Sequence, residues 1–112
     1  MPTPHRPSVS VRRVLRKLGL DIREARIRRS LPAQVVAERA FTTRPTLSRI
    51  ERGDHGVSIG IYASVLQSLG LLESLGSLAD PRHDEVGSAL ASSNLPSRAR
   101  RPRVKKQEQG DG

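Results

Sequence analysis

Apolar residues recur along this chain at three- and four-residue steps, the period of helices, and no segment alternates in the manner of a strand. Val11, Val14, Leu15, Leu18, Ile22 and Ala25 form the first stripe, with arginines between them. They predict an amphipathic helix over 11–29. Gly19 interrupts the stripe, so a helix beginning there is the alternative. Ser30 reads as an N-cap and Pro32 as a first-turn residue of a second helix reaching Ala40. Val36, Ala37 and Ala40 are its inward candidates. Phe41-Thr42-Thr43 breaks the pattern. Thr43 then caps a third helix over 44–52, with Pro45 in its first turn and Leu47 and Ile50 as its buried stripe.

Gly53-Asp54-His55-Gly56 reads as a turn. Ser58 caps a fourth helix to about Ser68, with Ile59, Tyr62, Val65, Leu66 and Leu69 on its inner side, and Gly70 stops it. A fifth helix is expected over 71–79 and a short sixth over 82–91, separated by Asp80-Pro81. The expected architecture is therefore all-α: a compact five-helix domain over 11–79 and a short helical extension over 80–92. It is preceded by a flexible proline-bearing arm at 1–10 and followed by a disordered basic tail at 93–112, whose composition buries too little apolar area to fold.

The second and third helices are each about nine residues long and joined by a three-residue turn, the dimensions of a helix-turn-helix unit. In that geometry the first helix crosses the DNA backbone and the second enters the major groove, N-terminal end toward the bases. Small residues such as Ala37 let the axes approach. Leu47 and Ile50 hold the second helix on the core and leave Arg44, Thr46, Ser48, Arg49 and Arg52 on its free side.

Charge strengthens this picture. The chain has 112 residues and a formal net charge of +9. Residues 1–30 hold nine Arg/Lys against Asp21 and Glu24, residues 31–92 hold five against seven acids, and residues 93–112 hold six against two. Such an excess favours a polyanion, nucleic acid first. Phe41 and Tyr62 are the whole aromatic complement, which argues against the stacking platforms of single-strand and RNA binders. No cysteine is present, which excludes disulfides and thiolate metal sites and suits a reduced, cytoplasmic compartment. No apolar run approaches the roughly 18 residues of a membrane span, and none at the start has the character of a signal peptide.

Residues 31–53, LPAQVVAERAFTTRPTLSRIERG, resemble the helix-turn-helix of the Xre, Cro and lambda-repressor family. IREARIRRSL is similar to that family's first helix, and VSIGIYASVLQSLGL to its fourth with the Leu-Gly that closes it. The resemblance covers roughly 18–71 and implies a lambda-repressor-like fold, a sequence-specific regulator, commonly a repressor, and a homodimer on two half-sites of double-stranded DNA. By position it assigns Arg44, Pro45 and Arg49 to base edges, with Thr46 at the same end of the helix. It makes Thr43 the recognition-helix cap, able to hold a phosphate. It pairs Arg26 with Glu51 as a structural link between the first and third helices. Two positions depart from the family. Its usual backbone-clamping Gln is replaced by Ala33, with Gln34 following. Its usual turn glycine is replaced by Phe41, for which a positive φ is costly, so the turn is expected to differ slightly.

The chemistry of these residue types agrees with those assignments. Arginine bonds bidentately to guanine O6 and N7, and a threonine methyl can meet a thymine methyl. A solvated helix face is the plain alternative for Arg44 and Arg49. Gln34, Ser48, Arg52 and His55 are placed as phosphate contacts with Thr43. His5, His55 and His83 lack metal-ligand spacing, and Asp80, Asp84 and Glu85 read as caps and surface. No catalytic constellation or cofactor-binding loop is present, so no enzyme, metal or cofactor is expected. The basic tail has two readings, solubility or nonspecific phosphate affinity. Leu71, Leu72, Leu75 and Leu78 either form a dimer contact or complete the monomer's own core. The stretch VLQSLGL also resembles HipB-like antitoxins, which bind a HipA-type kinase toxin. In those proteins a strand follows the last helix, whereas residues 71–87 here read as helical.

Overall fold

A computed structural model of the chain describes the backbone of residues 6–98. Expectations for the start of the arm, 1–5, and for the tail from 99 onward lie outside the described residues. Every regular element among them is helical. Contacts divide the chain into two units, one up to Leu75 and one from Gly76.

The first unit holds α1 (Val9–Arg28), α2 (Ala33–Arg39), α3 (Arg44–Glu51) and α4 (Ile59–Ser68), followed by the short α5 (Leu72–Gly76). Ser8 caps α1 two residues earlier than the apolar stripe suggests, its Oγ accepting the Val11 N–H at 3.2 Å. Ile22, Ala25, Val36, Ala37, Ala40, Leu47, Ile50, Val57, Tyr62, Val65, Leu66 and Leu69 form one buried cluster. Each large aliphatic member contributes about 1.5–3 kcal/mol by leaving water. Leu71 and Leu75 pack against this cluster, whereas Leu72 and Leu78 remain exposed.

Two further parts of the apolar pattern are not buried. Val11 and Val14, at the start of the α1 stripe, are exposed, because α1 meets α3 only further along, where its buried residues are Gly19, Ile22 and Ala25. Ile59 is 73% exposed, since the first residue of α4 faces away from the core that Tyr62 and Val65 enter.

Gly19 does not start a helix; α1 runs straight through it. The reason lies across the molecule. A Cβ at residue 19 would stand 2.5 Å from the Ile50 carbonyl oxygen and 2.7 Å from the Gly53 amide nitrogen. A Cβ at Gly53 would likewise stand 2.5 Å from the Leu15 carbonyl oxygen. Two backbones therefore cross in contact, and only glycine fits at either side of the crossing.

Helices α1 to α4 close in the same way. The N–H two residues past the cap reaches back to the third carbonyl from the end in Leu31→Arg26 (3.1 Å), Thr42→Ala37 (2.9 Å), Asp54→Arg49 (3.0 Å) and Leu71→Leu66 (2.8 Å). This is the Schellman closure, which needs one residue at positive φ. Gly53 and Gly70 supply it at φ 76°, but Ser30 (φ 53°) and Phe41 (φ 56°) supply it without being glycine. Ser30 thus ends α1 instead of capping α2, whose cap is Pro32 with no side-chain bond. The turn at Phe41 keeps the left-handed geometry that its side chain disfavours.

In the second unit, Asp80 caps a 3-10 turn, Pro81–His83, and α6 runs over Glu85–Arg98. The helix therefore extends past the expected end near 91, into residues expected to belong to the tail. The fifth helix is correspondingly shorter than 71–79. None of residues 76–94 is buried.

Candidate nucleic-acid interface

The α2–α3 pair is built from opposite inner and outer sides. Val36 and Ala37 of α2 and Leu47 and Ile50 of α3 are fully buried, which presses the helices together. With about 100° per residue, Pro45, Ser48, Arg49 and Arg52 then fall opposite Leu47 and Ile50, while Arg44 and Thr46 lie at the flanks. Arg44, Pro45, Ser48, Arg49 and Arg52 are exposed, and Thr46 is half-buried.

Thr43 sets where α3 begins. Its Oγ1 accepts the Thr46 N–H at 3.3 Å and lies 3.1 Å from the Thr46 hydroxyl, with Pro45 in the first turn. The Thr43 carbonyl also accepts the Leu47 N–H at 2.9 Å and Pro45 has no N–H, so the Arg44 N–H is the one first-turn donor left to suit an anionic oxygen. At the other end the helix is tied to α1. Arg26 donates from Nε to Glu51 Oε2 at 2.7 Å and from Nη2 to Oε1 at 3.2 Å. Its Nη1 donates to the Leu31 carbonyl at 3.1 Å. Both side chains are mostly covered, at 14% and 11% exposed. The hydrogen bond to Glu51 raises the Arg26 guanidinium above its ordinary pKa against the opposing effect of burial. This bidentate, charge-assisted bond fixes the rotation of α3 about its own axis, and so fixes which side chains point outward.

The outward polar residues are ordered to different degrees. The Arg44 side chain makes no hydrogen bond or ion pair within the described residues. Arg52 Nη1 donates to Ser48 Oγ at 2.6 Å. In α2, Gln34 Nε2 donates to Glu38 Oε2 at 2.9 Å, so its amide lies along its own helix. Arg49 Nε donates to Asp54 Oδ2 at 2.7 Å. Asp54 is itself held twice, its Oδ1 accepting the Gly56 N–H at 2.7 Å and its carbonyl accepting the Tyr62 hydroxyl at 2.7 Å. The Arg49 bond and then the Gly56 N–H hold the Asp54 carboxyl below the usual carboxylate range. Burial raises the Tyr62 phenol above its ordinary value, which keeps it a donor. His55 is exposed in the same loop.

Six of the sequence-derived contact residues therefore lie on α3 or its C-cap, Thr43 caps the helix, and His55 follows in the next turn. Gln34 lies on α2, and Arg26 and Glu51 stand behind the surface. Two residues that the sequence reading places only in turns also contribute. Asp54 orders Arg49, and the signal for it is Asp-x-Gly, whose carboxylate characteristically takes the N–H two residues on. Phe41, 96% exposed, stands in the turn between the helices, two residues before the α3 cap.

Among the described residues no three His, Cys, Asp or Glu gather as a metal site. No described helix is long and apolar enough to cross a membrane. What the surface can do is present charged donors on a rigid helix to a groove about as wide as a helix. No curated protein and no solved structure matches the chain. The model of the helix-turn-helix domain family matches residues 17–75, more than half of the 112 residues and the whole of α2 and α3, and the chain belongs to this family of DNA-binding domains.

Proposed function

We propose that the protein is a sequence-specific transcriptional regulator, a repressor, that reads double-stranded DNA with α3 in the major groove. The observation that carries this is the division of α3. Its inner side is locked by Leu47, Ile50 and the Arg26–Glu51 pair, and its outer side offers Arg49 and Arg52 to solvent, with Arg44 at the N-terminal end. A helix fixed in rotation is what base discrimination needs, because a bidentate contact is lost by small misplacement.

In this reading Arg44, Pro45, Thr46 and Arg49 meet base edges. Gln34, Thr43, Ser48, Arg52 and His55 meet phosphates and set the register. Two copies bind half-sites about 34 Å apart, one helical turn.

The test is selection of bound duplexes from a random pool by the full chain. Affinity for the selected palindrome and a scrambled duplex is then compared over about 50–200 mM salt. The expected result is a preference of about a thousand-fold or more for the palindrome. Equal binding to both duplexes overturns sequence-specific reading. Arg49→Ala is expected to relax preference at one base pair of each half-site. Uniform weakening on all duplexes reassigns Arg49 to a phosphate.

A further inference from the structure

The free guanidinium of an exposed arginine samples many rotamers, yet Arg49 does not stand free. Its Nε–H is committed to Asp54 Oδ2 at 2.7 Å. The four N–H groups on Nη1 and Nη2 carry no hydrogen bond within the described residues. Two of the four, one on each Nη, form the end-on fork that matches guanine O6 and N7. The carboxylate thus occupies the side of the guanidinium that base recognition does not need.

The clamp is built in depth. Asp54 Oδ1 accepts the Gly56 N–H at 2.7 Å, and the Asp54 carbonyl accepts the hydroxyl of Tyr62 at 2.7 Å. Tyr62 is 6% exposed, so the loop is anchored to the core and cannot drift with solvent. A Cβ at residue 56 would stand 3.1 Å from Arg49 Nη2 and 3.1 Å from Asp54 Oδ1. The smallest residue therefore sits where a side chain would push on the guanidinium and the carboxylate together. A carboxylate beside a DNA-binding surface works against phosphate affinity. Its presence needs another benefit, and orientation of Arg49 is the one that the geometry offers.

We propose that Asp54 is a positioning residue for base reading: with Gly56 and Tyr62 it holds the Arg49 fork in the one orientation that fits its base pair, trading general DNA affinity for discrimination. The proposal rests on Arg49 reading a base, as set out above. It differs in predicting opposite effects on specificity and on overall binding from one substitution.

Asp54→Asn keeps the shape of the side chain and removes its charge. Measured on the selected palindrome and its single-base-pair variants, it is expected to lower discrimination roughly ten-fold at one pair, the same pair that Arg49→Ala affects. Discrimination elsewhere stays, and affinity for the scrambled duplex is equal or higher. Tyr62→Phe loosens the loop from behind without touching the outer surface, and is expected to lower discrimination at that pair by roughly three-fold, a smaller step than loss of the bidentate contact itself. Circular dichroism before binding separates either effect from loss of fold.

If Asp54→Asn discriminates like the wild type at the Arg49-dependent pair, or weakens discrimination equally at all pairs, the positioning role is overturned while base reading by Arg49 stands. If the wild type shows no pair whose preference is lost in Arg49→Ala, base reading by Arg49 fails and this inference fails with it.

Discussion

The two helices of the motif are nearly equal in length but differ in what sustains them. α3 carries its own signals: Thr43 as a bonded cap, Pro45 in the first turn, and Gly53 in the left-handed position at its end. α2 has almost none. Pro32 caps it without a side-chain bond, and the left-handed residue after it is Phe41. Ser30, also left-handed, stands just before it. A seven-residue helix with such ends does not persist alone. It is held by Val36, Ala37 and Ala40, all in the core. α3 is thus specified locally and then locked in rotation, while its partner is specified by packing.

Substitutions at the left-handed positions sharpen this contrast, because the same backbone geometry recurs in different surroundings. The largest effect is expected at Gly53→Ala. The new methyl incurs the left-handed penalty and also meets the backbone of α1, 2.5 Å from the Leu15 carbonyl oxygen. Backbone cannot step aside as a side chain can, so a loss of about 3 kcal/mol is expected. In a denaturant titration this is a lowered midpoint with unchanged slope. A loss near that of Gly70→Ala would show that α1 and α3 can separate at their crossing.

Gly70→Ala isolates the conformational part. Gly70 has φ 76° and no atom within 4 Å of a Cβ built on it. The expected loss is about 1 kcal/mol, or roughly 4–8 °C in melting temperature for a domain of this size. An unchanged melting temperature would remove backbone strain as the common currency of these four ends.

The smallest effect has the opposite sign. Phe41→Gly relieves the left-handed strain of a side chain that is 96% exposed and so loses little burial. Glycine also raises the entropy of the unfolded chain, which offsets part of the gain. A net stabilisation of about 0.5 kcal/mol is expected, read as a small rise in melting temperature. A destabilised variant would mean that the ring packs where its exposure says it does not, and would weaken the distinction between α2 and α3.

Much of this was legible in the residues. The caps Thr43 and Ser58 were marked by hydroxyls before a helical period, and both accept the expected backbone N–H. Leu47, Ile50, Val36, Ala37, Tyr62 and Val65 followed from spacing, because burial of one side of a helix is written in its period. The errors fell where period and propensity are silent. Val11 and Val14 match the stripe of α1 but lie beyond what α3 covers, and no sequence rule states how far a partner helix extends. Ser30 has the chemistry of a cap, which is what its place before Pro32 suggests. It serves instead as a left-handed stop, because Leu31 and Arg26 close the helix around it.

The sequence alone determined that the fold is helical, where its first five helices lie to within a few residues, and that its charge suits a polyanion. These properties depend on local spacing and composition, which the chain carries whatever its partners in space. The tertiary structure decided why residue 19 is glycine, which way the outer side of α3 faces, and which arginine on it is clamped. The first two depend on atoms far apart in sequence coming within a few ångströms, Gly19 against Ile50 and Gly53 and Arg26 against Glu51; the third depends on the fold of one loop, which brings Asp54 against both Arg49 and Tyr62. The rotation of α3 is set by these contacts, and with it the identity of the side chains turned to solvent.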